Sequence, residues 1–322
     1  MTAYPPQPAP DDAIVLLGPT CSGKSAAAVA LAKRLDGEVV SCDSMQVYRM
    51  LPVGTAQPGD GERGGIPHHL VGFLELDQRW DASCFVPAAQ ELLCSIRHRG
   101  KRAIVAGGTG LYARALCYGM SLLPSDHELA LKLRAECATQ EGREVLLAEL
   151  ASTGDAFPED IRLNPRHLAR AVEVLRLTGK PPWRLQSRSA EPLPGFRQFC
   201  IVPDVDELKE RIARRTDAML KSGWLEEAAA AYQSGLAEAP TAWQALGYRE
   251  IRSYLGGELK GGLAELRQLL VFATIRYARR QLTWFRHQHP GAIMLPMDTP
   301  ERTAEAIVAS VSGIGSTSFV RR

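Results

Sequence analysis

The sequence predicts an α/β protein: a P-loop-containing parallel sheet core with a helical insertion. An apolar run, Ala13 to Leu17, leads straight into Gly18-Pro19-Thr20-Cys21-Ser22-Gly23-Lys24-Ser25. Strand-like and helix-like stretches then alternate to about residue 119. From 120 to 195 every periodic stretch is helical, and strand patterning returns at Gln198. Strand, helix, strand in this order is the signature of a doubly wound sheet.

Each element has a local reason. "AIVLL" (13–17) is short, apolar and unbroken, as a strand covered on both faces should be, and the glycine loop turns it into a helix ending near Leu35. "GEVVSC" (37–42) is a second strand. Asp81 caps, and Gly100 stops, a helix over 81–100, after which "RAIVAGG" (102–108) repeats the buried-strand pattern. Within the insertion, "SDHE" (125–128) reads as a capping box with Ser125 as cap. Pro165 suits a first helical turn, and Gly179-Lys180-Pro181-Pro182 ends that helix. "QFCIV" (198–202) is a strand, followed by helices with Asp204 or Asp206 as cap and Gly223 as stop. A long helix runs from beyond Gly256-Gly257 to about 287, and "AIMLPM" (292–297) is a late strand. The expected organisation is a leader (1–12), a core (13–119 and 196–312) with C-terminal helices, an insertion (120–195) and a tail (313–322).

At 322 residues and 45% hydrophobic the chain can bury a sizeable core. It lacks the roughly 18 to 20 consecutive apolar residues that span a bilayer, and "MTAYPPQPAPDD" has no basic-then-apolar signal pattern. A cytoplasmic protein with a disordered leader is expected. Seven cysteines without a C-x-x-C pair point to reduced thiols rather than a disulfide framework or zinc ribbon. Net charge is only +2, yet 161–188 holds seven basic residues against Glu173 alone, the footprint of a surface that meets phosphates or of a solvated helical face.

Gly18-x-x-x-x-Gly23-Lys24-Ser25 is a complete phosphate-binding loop. Its glycines let successive amides face an anion, the helix start adds its dipole, Lys24 neutralises oxygens and Ser25 offers a hydroxyl to Mg²⁺. A nucleotide kinase of this type ends another apolar strand in a magnesium-binding Asp. Here that strand ends in Gly107-Gly108-Thr109-Gly110, and the acid instead follows the second strand, in "SCDSMQVY". Asp43, Ser44, Gln46 and Thr109 therefore converge at the carboxyl edge of the sheet, where such folds bind ligands. Asp43 reads as a general base or as a cap carboxylate; Thr109 reads as a hydrogen-bond donor to a pyrophosphate or as a turn threonine.

Basic stripes extend the pattern. Arg166 and Arg170 share a helical face. In the late helix Arg276, Arg279, Arg280, Thr283, Arg286 and His287 fall on one side, with Ile275, Ala278, Leu282 and Phe285 opposite and no acid from 266 to 297. Arg211 and Arg215 stand four apart on a preceding helix. His68 and His69 lack a third ligand at metal spacing, Cys21 contributes mainly backbone, and Trp284 and Phe285 are expected in the core.

The blocks "GPTCSGKS", "DSMQVYR", "VGTAQP", "IPHHLVGFLEL", "VAGGTGLYARAL", "NPRHLARAVEVLRLTGKP", "ALGYREI" and "TIRYARRQLTWFR" resemble, in order, those of the tRNA dimethylallyltransferases (tRNA isopentenyltransferases), from about Ile14 to Arg286. The resemblance implies transfer of a dimethylallyl group from dimethylallyl pyrophosphate to the exocyclic amine of the adenosine 3′ of a tRNA anticodon. It implies that residues 18–25 and Arg215 bind pyrophosphate, that Asp43 and Thr109 are catalytic, and that Ser25 serves Mg²⁺. It places the tRNA anticodon stem-loop against Asp43-Ser44-Met45-Gln46, Thr109, Arg166-His167-Leu168-Ala169-Arg170, Ala245-Leu246-Gly247-Tyr248-Arg249-Glu250, Arg276 and Arg280. A monomer is expected. Gln57 stands where the family has lysine, and Leu131 where a basic contact is usual. A P-loop kinase of a small molecule or nucleotide, and a non-catalytic RNA-binding module of NTPase-like fold, are the competing readings. The first leaves the basic stripes without a role, and intact Lys24, Ser25 and Asp43 argue against the second.

Overall fold

The computed structural model describes residues 13–119, 123–185 and 191–313; the expected leader and residues 314–322 of the expected tail lie outside the described residues. The described chain forms two compact units, one of residues 119 and 123–185, the other of 13–118 and 191–313.

The larger unit is built on six parallel strands: β1 (Ala13–Leu17), β2 (Gly37–Ser41), β3 (His68–His69), β4 (Arg102–Gly107), β5 (Phe196–Val202) and β6 (Ile293–Pro296), in the order β3-β2-β4-β1-β5-β6. β1 lies between β4 and β5 and is buried along its whole length, which is why its sequence has no polar alternation. Helix α1 (Lys24–Leu35) brings Ala27, Ala28, Leu31 and Ala32 down onto Ile14, Leu16, Ile104 and Phe199, its small side chains permitting close approach to the sheet. The alternate strand residues, such as Val15 and Val105, serve the other face, where α3 (Ala82–His98) packs on β2 and β4. Between these come α2 (Asp60–Arg63) and, after β4, α4 (Gly110–Tyr118), whose Tyr112 stacks on Phe85 of α3 at 4.9 Å.

The smaller unit holds α5 (His127–Glu136), α6 (Gln140–Ala151), α7 (Glu159–Leu163), α8 (Pro165–Thr178) and α9 (Pro182–Leu185), with no strand among its described residues. Its own core joins Leu133, Leu146, Leu150, Ile161, Leu168 and Val172. Two expectations change. Asp126, not Ser125, caps α5 by accepting from the Leu129 amide at 2.8 Å, because the Ser125 hydroxyl is drawn to Glu173 at 2.6 Å. Residues 191–195, expected in the insertion, belong to the larger unit, where the Leu193 amide donates to the Cys117 carbonyl at 2.7 Å.

The chain then forms α10 (Val205–Lys221), capped by Asp204, α11 (Trp224–Gln233), α12 (Tyr248–Leu255), α13 (Gly262–Gln288) and α14 (Pro300–Val311). Gly223 does not stop α10; Ser222 does, and Gly223 opens α11 with φ +91°. α14 packs on α1 and adds Ala304 and Ile307 to the sheet core. Leu208 and Ile212 of α10 meet Ala278 of α13, and the side chain of Cys21 packs on that seam. The Cys21 side chain thus carries more than the backbone role expected of it.

Candidate active site

The loop after β1 ends at Gly23, which caps α1 with φ +84°, a left-handed conformation that favours glycine. No side chain caps α1 and its first turn carries no acid, so its first amides are left for an anion. Lys24 Nζ donates to the Pro19 carbonyl at 3.4 Å. Burial lowers its pKa below that of an ordinary amine, and the nearby Arg215 pushes the same way, while Asp43 opposes them. Arg215 donates to Thr20 Oγ1 at 3.3 Å and to Cys21 Sγ at 3.7 Å, placing a fixed cation on the loop. Arg211 is ion-paired with Glu207 at 2.8 Å.

Asp43 follows β2 at the same sheet edge. Its Oδ1 accepts from the amides of Met45 (2.9 Å) and Gln46 (3.3 Å), an Asx turn in which Oδ2 takes no part. Thr109 holds this turn from across the sheet: its Oγ1 accepts from the Ser44 amide at 3.0 Å, and its own amide donates to the Cys42 carbonyl at 3.2 Å. The glycines before it are required by crowding, since a Cβ on Gly107 would lie 2.0 Å from the Cys42 carbonyl oxygen.

The phosphate loop and the Asp43 turn line a cavity of about 1080 Å³. Thr20, Lys24, Ser25, Asp43, Arg215 and Arg280 all reach it, with Val29, Pro52, Val53, Met219 and Leu246 as apolar wall. Thr109 is not on that wall. Its Oγ1 holds Ser44 beside the Asp43 turn.

Three wall elements went unassigned in the sequence. The 52–59 segment is held by Glu227, whose carboxylate accepts from the Val53 (2.6 Å) and Gly54 (2.8 Å) amides and from the Tyr248 hydroxyl (2.5 Å). Tyr277 lines the cavity as Asp43 does, with Arg280 above its ring at 5.7 Å, and burial pushes its hydroxyl pKa up. Gln281 is buried beneath the loop. Both α13 residues fall between the arginine face and the core face, where helical periodicity assigns no role. Glu227 has no local signal, since the amides it accepts from are 173 and 174 residues away and Tyr248 is 21 residues away.

The expected tRNA-facing residues divide. Arg276, Arg279, Arg280, Arg286 and His287 are exposed along α13 while Ala278 and Phe285 are buried; Trp284, expected in the core, is 37% exposed and packs its ring on Gly110. Ser44, Met45, Gln46 and Leu246 line the cavity, and Arg249 is exposed. Tyr248, by contrast, is fully buried and committed to Glu227, and Ala245 is buried as well. Neither side chain is available to a macromolecule. In α8, Arg166 is exposed and His167 pairs with Asp160 at 2.8 Å, but Leu168 and Ala169 belong to the small unit's core. Arg170, expected on phosphates, is committed to Glu173 Oε2 (2.7 Å) and to the carbonyls of Leu123 and Pro124 (both 2.9 Å). Arg176 and Arg184 likewise pair with Glu149 and Asp155. Three of the seven basic residues read from 161–188, Arg170, Arg176 and Arg184, are therefore paired with acids.

Gln57 is turned inward, donating to the Tyr48 carbonyl at 2.7 Å, and Leu131 is exposed on α5. His69 pairs with Glu38 at 2.7 Å; burial lowers the pKa of His68, whose Nδ1 meets the Ile66 carbonyl at 2.9 Å. Among the described residues no group of three or more His, Cys, Asp and Glu gathers at metal-binding spacing, and no helix is long and apolar enough to cross a membrane.

Residues 12–67 match the family model described as isopentenyl transferase. The chain is 42% identical over 311 residues to a tRNA dimethylallyltransferase of Stenotrophomonas maltophilia strain R551-3, covering 93% of this chain and 97% of the relative. It is 40% identical over 295 residues to tRNA dimethylallyltransferase 1 of Pelobacter propionicus, covering 90% and 94%. In three dimensions it is similar to the full-length tRNA isopentenylpyrophosphate transferase of Bacillus halodurans, with a TM-score of 0.69, 31% identity, and coverage of 95% and 97%. A eukaryotic dimethylallyltransferase acting on tRNA shares the fold, with a TM-score of 0.73 at 24% identity, over 94% of this chain and 79% of that one. With the model described as IPP transferase matching residues 46–288 as well, the chain belongs to the IPP transferase family.

Proposed function

We propose that this protein transfers a dimethylallyl group from dimethylallyl pyrophosphate to the exocyclic amine of the adenosine 3′ of the anticodon in tRNA, releasing pyrophosphate. The observation that carries this reading is that Asp43 and the phosphate loop line one cavity which Arg280, from the exposed arginine face of α13, also reaches. A carboxylate, an anion cradle and an arginine of the exposed basic face thereby share one cavity. The relatives' names point the same way.

In the reaction the bond between the allylic carbon and the pyrophosphate oxygen breaks and a bond from that carbon to the adenine nitrogen forms. An exocyclic amine of adenine is a weak nucleophile, so leaving-group stabilisation must do much of the work. The uncapped amides of α1, Lys24 and Arg215 take up the charge that grows on the departing pyrophosphate. Asp43 accepts the proton lost by the amine as the carbon–nitrogen bond forms, a role typically worth roughly 10² to 10⁴ in rate. Its Asx turn, held by Thr109, fixes where that carboxylate stands. The apolar wall takes the five-carbon tail.

The donor set fits magnesium: the Ser25 hydroxyl, a hard oxygen donor on the cavity wall beside the anion cradle, would hold the ion, and the Asp43 carboxylate is left to act as the base. Bound there, Mg²⁺ supplies charge neutralisation of the pyrophosphate. The protein acts as a cytoplasmic monomer in this reading.

The test is incubation with unmodified tRNA and labelled dimethylallyl pyrophosphate. Label on adenosine is expected; ADP formation from ATP without alkylation would instead identify a kinase, and tRNA binding without either a non-catalytic module. Asp43→Asn should retain tRNA affinity and lose about 10²-fold or more in turnover. Undiminished turnover in that variant would reject Asp43 as the base.

A further inference from the structure

Gln281 is where three parts of the site meet. It sits on α13 directly after Arg280 and is 7% exposed. Its side-chain carbonyl accepts from the Thr20 amide of the phosphate loop at 2.9 Å, and its amide nitrogen donates to the Gly108 carbonyl at 2.8 Å. Gly108 directly precedes Thr109, which holds Ser44 beside Asp43. The contact is close enough that a Cβ on Gly108 would lie 2.4 Å from the Gln281 nitrogen.

The chemistry of the two partners dictates the residue. A backbone amide needs an acceptor and a backbone carbonyl needs a donor, and a carboxamide offers one of each on a single rigid plane. A carboxylate offers two acceptors, and a thioether of the same length offers neither function at useful strength. The bonds span 261 and 173 residues of sequence, so they fix tertiary placement rather than local structure.

We propose that Gln281 is a positioning residue that couples acceptor binding to donor grip, by tying the arginine-bearing helix both to the phosphate loop at Thr20 and to the Thr109 turn at Gly108. This rests on the prenyl-transfer reading. When α13 settles on an anionic acceptor, the same helix sets the loop that holds the leaving group and the turn that holds Asp43. Linkage then requires the converse: an occupied phosphate loop strengthens acceptor binding by the same factor.

The experiment measures tRNA affinity with and without saturating magnesium pyrophosphate, and steady-state kinetics with labelled dimethylallyl pyrophosphate, for the wild type, Gln281→Met and Gln281→Glu. In the wild type pyrophosphate should tighten tRNA binding by about 5-fold or more. In Gln281→Met that tightening should vanish, with tRNA affinity in the absence of pyrophosphate within about twofold of wild type and kcat/KM for the donor down about 10²-fold. Gln281→Glu should regain activity relative to wild type as the pH falls from 8 to 6, because the protonated carboxyl can donate to the Gly108 carbonyl again. The proposal is overturned by intact tightening and wild-type kinetics in Gln281→Met, by equal weakening of tRNA binding with and without pyrophosphate, or, if Gln281→Met does not fold, by a pH-independent deficit in Gln281→Glu. The binding measurements involve no chemistry, so a wild type that binds both ligands cooperatively yet alkylates nothing would reject the proposed reaction and leave the coupling standing.

Discussion

The Ser44 amide donates to Thr109 Oγ1 at 3.0 Å, joining the turn after β2 to the turn after β4 across the carboxyl edge of the sheet. Thr109 thus stands one bond removed from Asp43: it holds the residue next to the carboxylate. Thr109→Val keeps the shape and removes the acceptor, leaving a part-buried amide without its partner, a loss of about 1–3 kcal/mol. The expected result is a fall in kcat with little change in tRNA affinity, and near wild-type turnover in Thr109→Ser. If Thr109→Val raised the KM for the donor and left kcat alone, direct contact with the pyrophosphate would be the better account.

Glu227 organises the opposite wall. Its two oxygens take the amides of Val53 and Gly54 and the hydroxyl of Tyr248, which joins the 52–59 segment to α11 and α12. Glu227→Ala removes an ionised acceptor from three donors, and hydrogen bonds to charged groups contribute about 1.5–3 kcal/mol each. Those values are not additive within one cluster, so a loss of about 3 kcal/mol is expected, read as a lower urea midpoint at unchanged slope. Tyr248→Phe, which takes away one of the three, should cost about 1.5 kcal/mol.

His289 sets a pH dependence of stability. It is fully buried, its Nδ1 facing Gln198 Oε1 at 2.9 Å and its Nε2 facing the Gly110 carbonyl at 3.2 Å, and burial lowers its pKa to about 4. The unfolded chain, with an ordinary imidazole near 6.5, binds the proton more tightly than the folded one. Stability is therefore complete above about pH 6.5 and declines as the pH falls toward 4, by about 3 kcal/mol over the whole window. His68, lowered by burial as well, adds to the same decline. Urea midpoints between pH 7 and 4.5 should fall in the wild type and fall less steeply in His289→Gln. Equal slopes would show that His289 titrates normally in the fold.

The sheet, the loop and the arginine face were legible because each depends on neighbours in sequence. An unbroken apolar run, a glycine spacing and a helical period need no knowledge of the rest of the chain. Asp43 was legible for the same reason, being the acid at the end of a recognisable strand. What was not legible depends on residues far apart. Glu227 and Gln281 look like ordinary helix residues until the segments they bind are brought to them, at separations of 173 to 261 residues. Tyr248 illustrates the converse error: its place in a distinctive block suggested exposure to substrate, yet its ring is buried and its hydroxyl serves Glu227.

Arg170 of α8 is paired within the fold whereas Arg276 and Arg280 of α13 are exposed, and this difference can be measured. In α13 the exposed Arg276 and Arg280 have no acidic residue within the same stretch of sequence, from 266 to 297. In α8 the guanidinium of Arg170 is committed to Glu173 and two backbone carbonyls, which hold the entry to α5 against α8. Arg276→Ala combined with Arg280→Ala should weaken tRNA binding and make its salt dependence shallower by roughly 1 to 2 in the logarithmic slope, as two phosphate contacts are lost. Arg170→Ala should instead lower thermal stability, leaving Glu173 without its nearest cation, while the salt slope of tRNA binding stays that of the wild type. A shallower slope in Arg170→Ala would mean that this guanidinium leaves its carbonyls for a phosphate when tRNA binds. An unchanged slope in the α13 double variant would remove that helix from the interface and leave the arginine face without an anionic partner.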